Sequence, residues 1–196
     1  MKTALVITTI NKANFNIKKF SRGSKLSNWE FIVIGDKKTP KNFKISYGSF
    51  FALRNQKKLN FHYSKLCPIN SYARKNIGYL IALEKKCDII IETDDDNYPK
   101  KNFFIERKLS CKTEEIKNKS WINIYDLFLS KSKNIWPRGL PLDSIKLKKV
   151  FINKHKRYNN FYIQQGIVNN NPDVDAIYRL INEKINIKFK NNYKVS

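Results

Sequence analysis

Four acids stand close together in the segment "IIIETDDDNYPKK" (Ile89–Lys101): Glu92, Asp94, Asp95 and Asp96. In an extended chain alternate residues share a face, so Asp94 and Asp96 point one way and Asp95 the other. Two carboxylates on one side of a strand end repel unless a cation lies between them. Their hard oxygens suit Mg2+ or Mn2+. The plainer alternative is an acidic loop, solvated and capping whatever follows, because acid triplets are common in loops.

Other groups could contribute. Arg74 and Asn76 in "YARKNIGYL" fall in the first turns of an expected helix, where an anion is favoured; taken alone, an exposed helix face is the better account of them. Asp173 and Asp175 precede Arg179, and acids at a helix start or an i,i+4 Asp–Arg pair need no functional role. Trp121, Trp136, Tyr125 and Tyr162 could stack on a base or sugar, although such rings more often fill a core.

These residues need elements to position them. "ALVITTI" (Ala4–Ile10) and "EFIVIGDKKTP" (Glu30–Pro40) each begin as a short, β-branched buried strand. From Asn70 the pattern turns helical, with Asn70 or Ser71 as cap, Ile77, Leu80 and Ile81 on helical spacing and an end near Lys85–Cys87. "CDIIIE" reads as a third strand, continuously apolar and therefore expected near the centre of a parallel sheet. The order strand, strand, helix, strand predicts an open α/β sheet, in which ligands bind outside the carboxyl ends of the strands. The acidic cluster follows such an end. Further on, "YIQQGIV" reads as a short strand and "NNNPDVDAIYRLIN" as a helix capped by Asn171, with Pro172 at its first position.

The composition narrows the function classes. A chain of 196 residues suits one domain, and a 41% hydrophobic content argues against a disordered tail. The formal net charge is +23, which invites a nucleic-acid reading. However, 32 Lys stand against 7 Arg, spread along the chain among 24 Asn and 25 Ile. That is the signature of A/T-rich codons as much as of a nucleic-acid face, and Arg is the better base reader. Cys67, Cys87 and Cys111 form no CxxC, and with His62 and His155 they show no zinc spacing. Reduced thiols, no signal-like N-terminus and no long apolar run lead us to expect a cytoplasmic protein without a membrane span.

Read together, "VIGDKKTPK", "YARKNIGYLIAL", "IIIETDDDNYP", "SWINIYDLF", "IWPRGLPLD", "QQGIV" and "PDVDAIYRL" resemble the ordered motif series of the STELLO-type glycosyltransferase-like proteins. The resemblance extends more distantly to the reversibly glycosylated polypeptides (UDP-arabinopyranose mutases). It runs from about Ala4 to Leu180, and its strength is in the order of the motifs rather than in any one of them. It implies an α/β, GT-A-like (Rossmann-like) fold: an open mixed, mostly parallel sheet flanked by helices, as a single domain over residues 1–183, with a polar tail at 184–196.

The resemblance also implies roles. Asp94 and Asp96 fit a DxD-type motif holding Mn2+ or Mg2+, with Asp95 counted among the nucleotide-sugar contacts rather than as a metal ligand. Thr8, Thr9 and Asp36 fit nucleoside contacts, and Arg74 and Asn76 the base or diphosphate side. Arg138, Gln165, Asp173 and Asp175 fit the sugar and acceptor side, with Asp173 or Asp175 as general base. The expected activity is metal-dependent hexosyl or pentosyl transfer from a nucleotide sugar, UDP-linked by analogy, to an unidentified acceptor. Family members continue past "DVDAIYRL", whereas this sequence ends at Ser196. A nucleotide-sugar-binding module without efficient transfer is therefore the first alternative, and a basic nucleic-acid-binding protein the second.

Overall fold

The computed structural model describes residues 1–129, 134–145, 150–182, 187–190 and 194–196. They form two compact units, Met1–Arg107 and Lys108–Ser196. The first unit runs β1 (Thr3–Thr9), α1 (Phe15–Leu26), β2 (Glu30–Gly35), β3 (Ser49–Phe51), α2 (Leu53–Gln56), α3 (His62–Leu66), a 3-10 turn (Tyr72–Arg74), α4 (Lys75–Glu84) and β4 (Ile89–Asp94). Its four strands are all parallel, in the order β3-β2-β1-β4. This is the expected α/β class, a Rossmann-like parallel sheet flanked by helices.

Alternation explains why the strands read as unbroken apolar runs. Ala4 and Val6 of β1, with Ile32 and Ile34 of β2, face α4 and pack on Ile77, Ile81 and Ala82. Leu5 and Ile7, with Phe31 and Val33, face the other way onto Ile17 and Phe20 of α1. Both faces are covered, so neither needs polar residues. Each of the larger side chains (Val, Leu, Ile, Phe) contributes about 1.5–3 kcal/mol by leaving water. Helix α4 lies close to the sheet because Gly78 has no side chain: a Cβ there would fall 2.4 Å from Val6 Cγ1.

Some expectations change. The third strand of the sequence reading, β4, lies at the end of the sheet rather than near its centre. Its isoleucines are apolar because Ile90 meets the α4 side and Ile91 the α1 side, which requires two covered faces but not two neighbouring strands. The sequence reading also passed over α1 and β3. Helix α1 buries Ile17, Phe20, Ser21 and Ser24, so half of its inner stripe is serine and its apolar period is weak.

The second unit contains β5 (Ser110–Ile116), α5 (Ile124–Phe128), β6 (Ile152–Asn160) and α6 (Ala176–Ile181), with β5 and β6 antiparallel. Its core joins Tyr125, Leu129, Ile135, Trp136, Val174 and Tyr178. Ile187 and Phe189, inside the stretch expected to be a polar tail, are buried there too. The "YIQQGIV" segment is not a strand: Tyr162 and Ile163 are almost fully exposed, with no strand pairing to them among the described residues. Helix α6 starts at Ala176 under an Asp175 cap and not at Pro172, because Val174 is held in a bridge to Pro137. Among the described residues no helix is long and apolar enough to cross a membrane.

Candidate functional site

Parallel strands end together, and the register fixes which ends are neighbours. Thr8 of β1 pairs with Ile34 of β2 on one side and with Asp94 of β4 on the other, while Thr9 pairs with Gly35. The residues that follow each strand therefore meet at one edge. There they surround a cleft of about 410 Å³, which takes in Thr8 and Thr9, Asp36, Arg74 and the triplet Asp94, Asp95 and Asp96.

Several of these side chains have a defined local role. Asp36 binds backbone: Oδ1 accepts from Lys37 N at 2.7 Å and Asn70 N at 3.0 Å, and Oδ2 from Ser71 N at 3.1 Å. It thereby ties the end of β2 to the turn that launches the 3-10 segment and α4. Asn70 takes a positive φ of 53° in that turn, which asparagine tolerates well. Thr9 is buried, and its hydroxyl donates to Asp95 Oδ2, which also accepts from Asn11 Nδ2 at 3.1 Å. The Asp95 carbonyl accepts from Asn14 Nδ2 at 2.9 Å. Asp95 is thus turned into the β1–α1 connection. The Thr8 hydroxyl and the Asp96 carboxylate have no hydrogen-bond partner among the described residues.

Arg74 is 2% exposed and touches no carboxylate. Its Nε donates to Gln56 Oε1 at 2.9 Å and Nη2 to the same oxygen, while Nη1 donates to the carbonyls of Cys67 at 3.0 Å and Pro68 at 3.2 Å. Gln56 Nε2 in turn donates to Gly35 O at 2.7 Å and Phe51 O at 2.6 Å. The guanidinium is a buried positive charge satisfied by neutral acceptors. It organises one wall of the cleft and leaves its charge without an anionic counterpart in that shell.

Asn76 departs from the expected set. It is exposed, does not line the cleft, and donates through Nδ2 to Tyr63 Oη at 3.1 Å. The neighbouring Lys75, which the sequence reading passed over, is the functional-looking residue of that turn. Its Nζ lies 2.9 Å from Glu92 Oε2 and 2.9 Å from Asp94 Oδ1. Burial alone would lower the ammonium pKa, but the bonds to Glu92 and Asp94 outweigh it and hold it above the usual lysine value. Tyr79 Oη donates to Glu92 Oε2 at 2.8 Å, and burial followed by that carboxylate pushes the phenol far up. Lys38, Asn70 and the 89%-exposed ring of Tyr72 also line the cleft without having been singled out. Nothing in a lysine-rich sequence distinguishes Lys38 or Lys75 from the rest.

The remaining candidates belong to the second unit. Arg138 Nη2 pairs with Asp173 Oδ2 at 2.7 Å, with both side chains largely exposed. The Asp173 carbonyl accepts from Tyr125 Oη at 2.8 Å and from Arg138 N at 3.2 Å. Asp175 caps α6, its Oδ1 accepting from Ile177 N at 2.9 Å. The Asp175–Arg179 ion pair suggested by the spacing is not formed; Arg179 turns to Asn171 Oδ1 at 3.4 Å. Gln165 is exposed in the segment before Gly166. Tyr125 and Trp136 are core residues, Trp136 packing edge-on against Tyr178 at 5.0 Å, whereas Trp121 and Tyr162 are exposed.

A divalent cation can be weighed against this donor set. Among the described residues no three metal-ligating side chains converge, so an all-protein cage is absent there. Asp94 and Asp96, whose carboxylates are hard oxygen donors, nevertheless both line one cleft. Lys75 occupies only Oδ1 of Asp94. Two protein carboxylates with the remaining positions filled by ligand oxygens and water is a normal arrangement for Mg2+, and the residues fit it.

Comparison with known proteins gives two relatives from Arabidopsis thaliana. The chain is 31% identical over 172 residues to the probable glycosyltransferase STELLO2 and 32% identical over 172 residues to the probable glycosyltransferase STELLO1. Each match takes in 79% of this chain and 22% of the relative, so the chain spans under a quarter of the relatives' length. No family model matches the chain.

Proposed function

We propose, on the premise that the chain groups with the STELLO-type glycosyltransferase-like family, that the cleft at the carboxyl edge of its parallel sheet binds a nucleotide sugar, UDP-linked, as donor for glycosyl transfer. The observation that carries this reading is the convergence of Thr8, Asp36, Arg74 and Asp94–Asp96 around one cleft at adjacent strand ends. Open α/β sheets bind their ligands at that position.

In this reading Asp94 and Asp96 hold Mn2+ or Mg2+ together with the donor diphosphate. The cation, when bound, offsets the charge that builds on the departing phosphate as the sugar–phosphate bond breaks. Arg74 adds a fixed positive field from the wall. Thr8 and the exposed Tyr72 ring offer a hydroxyl and an aromatic face to the nucleoside. Asp95 and Asp36 act earlier in the chain of causes: one locks the β1–α1 connection, the other the turn before α4. Asp173 and Asp175 are the acceptor-side candidates for general base, each with one carboxylate oxygen already engaged, Asp173 Oδ2 by Arg138 and Asp175 Oδ1 by Ile177 N.

Calorimetry with UDP and UDP-sugars, with and without Mn2+, tests the proposal. The expected result is binding that strengthens with Mn2+ and loses that dependence in the Asp94→Ala, Asp96→Ala double variant. Equal affinity of both proteins under both conditions removes the metal role. A product assay then separates transfer from binding alone: sugar transfer, or donor hydrolysis above background, is the expected outcome.

A further inference from the structure

The first unit has a second concave surface that shares no lining residue with the cleft. Lys18, Arg22 and Lys25 of α1, with Leu26 at its end, face Lys44 and Ile45 across a groove of about 560 Å³. Its shape follows from the core. Because α1 buries Ile17, Phe20, Ser21 and Ser24, residues 18, 22 and 25 fall on one outward stripe. Opposite, in the irregular run from Phe43 to Tyr47, Phe43 is buried while Lys44 and Ser46 are exposed.

Buried contacts hold the two walls together. Ser21 Oγ donates to Tyr47 O at 2.8 Å and accepts from Tyr47 N at 2.9 Å, and it lies 3.2 Å from Ser46 Oγ. The spacing of the charges is therefore set by packed backbone and not only by flexible side-chain ends.

Four cations line this groove and no acid does. None of the four makes a salt bridge among the described residues, whereas Lys2, Lys75 and Lys85 of the same unit each find a carboxylate. Lys18, Arg22 and Lys25 are i,i+4 and i,i+3 neighbours of like charge, a pattern that weakens a helix unless an anion offsets it. Arg22 is one of only 7 arginines against 32 lysines, and its planar fork suits phosphate oxygens.

We propose that this groove binds a cluster of phosphate groups, presented either by a phosphorylated lipid headgroup or by a free polyphosphate. A groove of about 560 Å³ is sized for a compact, densely charged group rather than for a nucleic-acid duplex. The exposed Leu26 adds apolar contact at the rim. The proposal does not rest on the donor reading of the cleft.

The test compares the full chain with two triple variants of equal charge loss: Lys18→Gln, Arg22→Gln, Lys44→Gln in the groove, and Lys12→Gln, Lys57→Gln, Lys58→Gln at exposed positions elsewhere. The probes are inositol hexakisphosphate by calorimetry and phosphatidylcholine vesicles with or without phosphatidylinositol bisphosphate by co-sedimentation. Both are run at about 0.15 M salt, where diffuse surface attraction is largely screened. We expect the groove variant to lose about tenfold or more in affinity and the control to stay within about twofold. Binding to the phosphoinositide vesicles alone identifies a lipid source, and binding to the soluble probe identifies a free one; either supports the proposal. Equal loss in both variants, no binding to either probe, or preferential binding to duplex DNA overturns it. Circular dichroism and thermal melting of both variants check that the fold persists.

Discussion

The Lys75 ammonium sits 2.9 Å from Asp94 Oδ1 and 2.9 Å from Glu92 Oε2, so one side chain at the start of α4 clamps two acids on the same face of β4. In the proposed reading this cation competes for a carboxylate that a divalent ion would use. Lys75→Gln is expected to raise Mn2+ affinity several-fold in the absence of nucleotide. It should lower stability by no more than about 1 kcal/mol, because both acids are more than half exposed and screened by water. Metal titration and thermal melting read the two effects separately. A fall in metal affinity would mean that Lys75 orients Asp94 rather than competing for it.

Arg74 should matter to stability before it matters to binding. Arg74→Ala leaves Gln56 Oε1 and the carbonyls of Cys67 and Pro68 without their donor inside the protein. We expect a loss of about 2–4 kcal/mol in denaturant unfolding. Arg74→Lys should recover only part of it, since an ammonium cannot reproduce the fork that reaches both Gln56 and the 67–68 carbonyls. Full recovery by lysine would show that charge alone is needed.

Gly78 is the contact point between α4 and the sheet. Gly78→Ala brings a methyl to 2.4 Å from Val6 Cγ1 and 3.1 Å from Ile34 Cγ1, and should destabilise by about 1–3 kcal/mol despite alanine's better helix propensity. Combining it with Val6→Ala should cost less than the sum of the two single changes. A double-mutant cycle measures that coupling, and strict additivity would place the strain elsewhere.

Glu30 supplies a pH dependence. Its carboxylate is held below the usual value chiefly by the Lys85 hydrogen bond, against a smaller opposing effect of burial, with Lys2 helping. A lowered folded-state pKa stabilises fully above the unfolded value of 4.5 and loses that contribution as pH falls through the folded value. The stability gap between the native protein and Glu30→Gln should therefore be constant near neutrality and shrink below about pH 4.5. Melting curves from pH 7 to pH 3 check it; a gap that widens on acidification contradicts the assignment.

The strands were readable in the sequence where packing left no choice of residue type. Ala4–Ile7 and Phe31–Ile34 must be apolar throughout because α4 and α1 cover both sides. The acidic triplet was readable for the opposite reason, as a break in that pattern at a strand end. Helix α1 was obscured because Ser21 and Ser24 fill positions where leucine would have advertised an inner face. Lys75 was invisible for want of contrast among 32 lysines; only the approach of α4 to β4 sets it apart. In the second unit, "YIQQGIV" carries apolar residues without a sheet to receive them, so its alternation points to no strand.

The strand order β3-β2-β1-β4 also has a consequence in time. Strand β1 meets β2 after a short stretch of chain, but its other neighbour, β4, arrives much later: the Thr9–Asp95 bond joins residues 86 apart in sequence. Until then one edge of β1 stands unpaired, and closing so long a loop must precede the contacts that reward it. The floor of the cleft, where Thr8 lies beside Asp94, cannot exist before that closure. During synthesis and refolding alike, nucleotide binding should appear only after the β1–β2 pairing around Leu5, Phe31 and Val33 has begun to form. Pulsed hydrogen exchange during refolding, following the β1–β2 amides and ligand capture in parallel, tests this order; capture at or before protection of those amides overturns it.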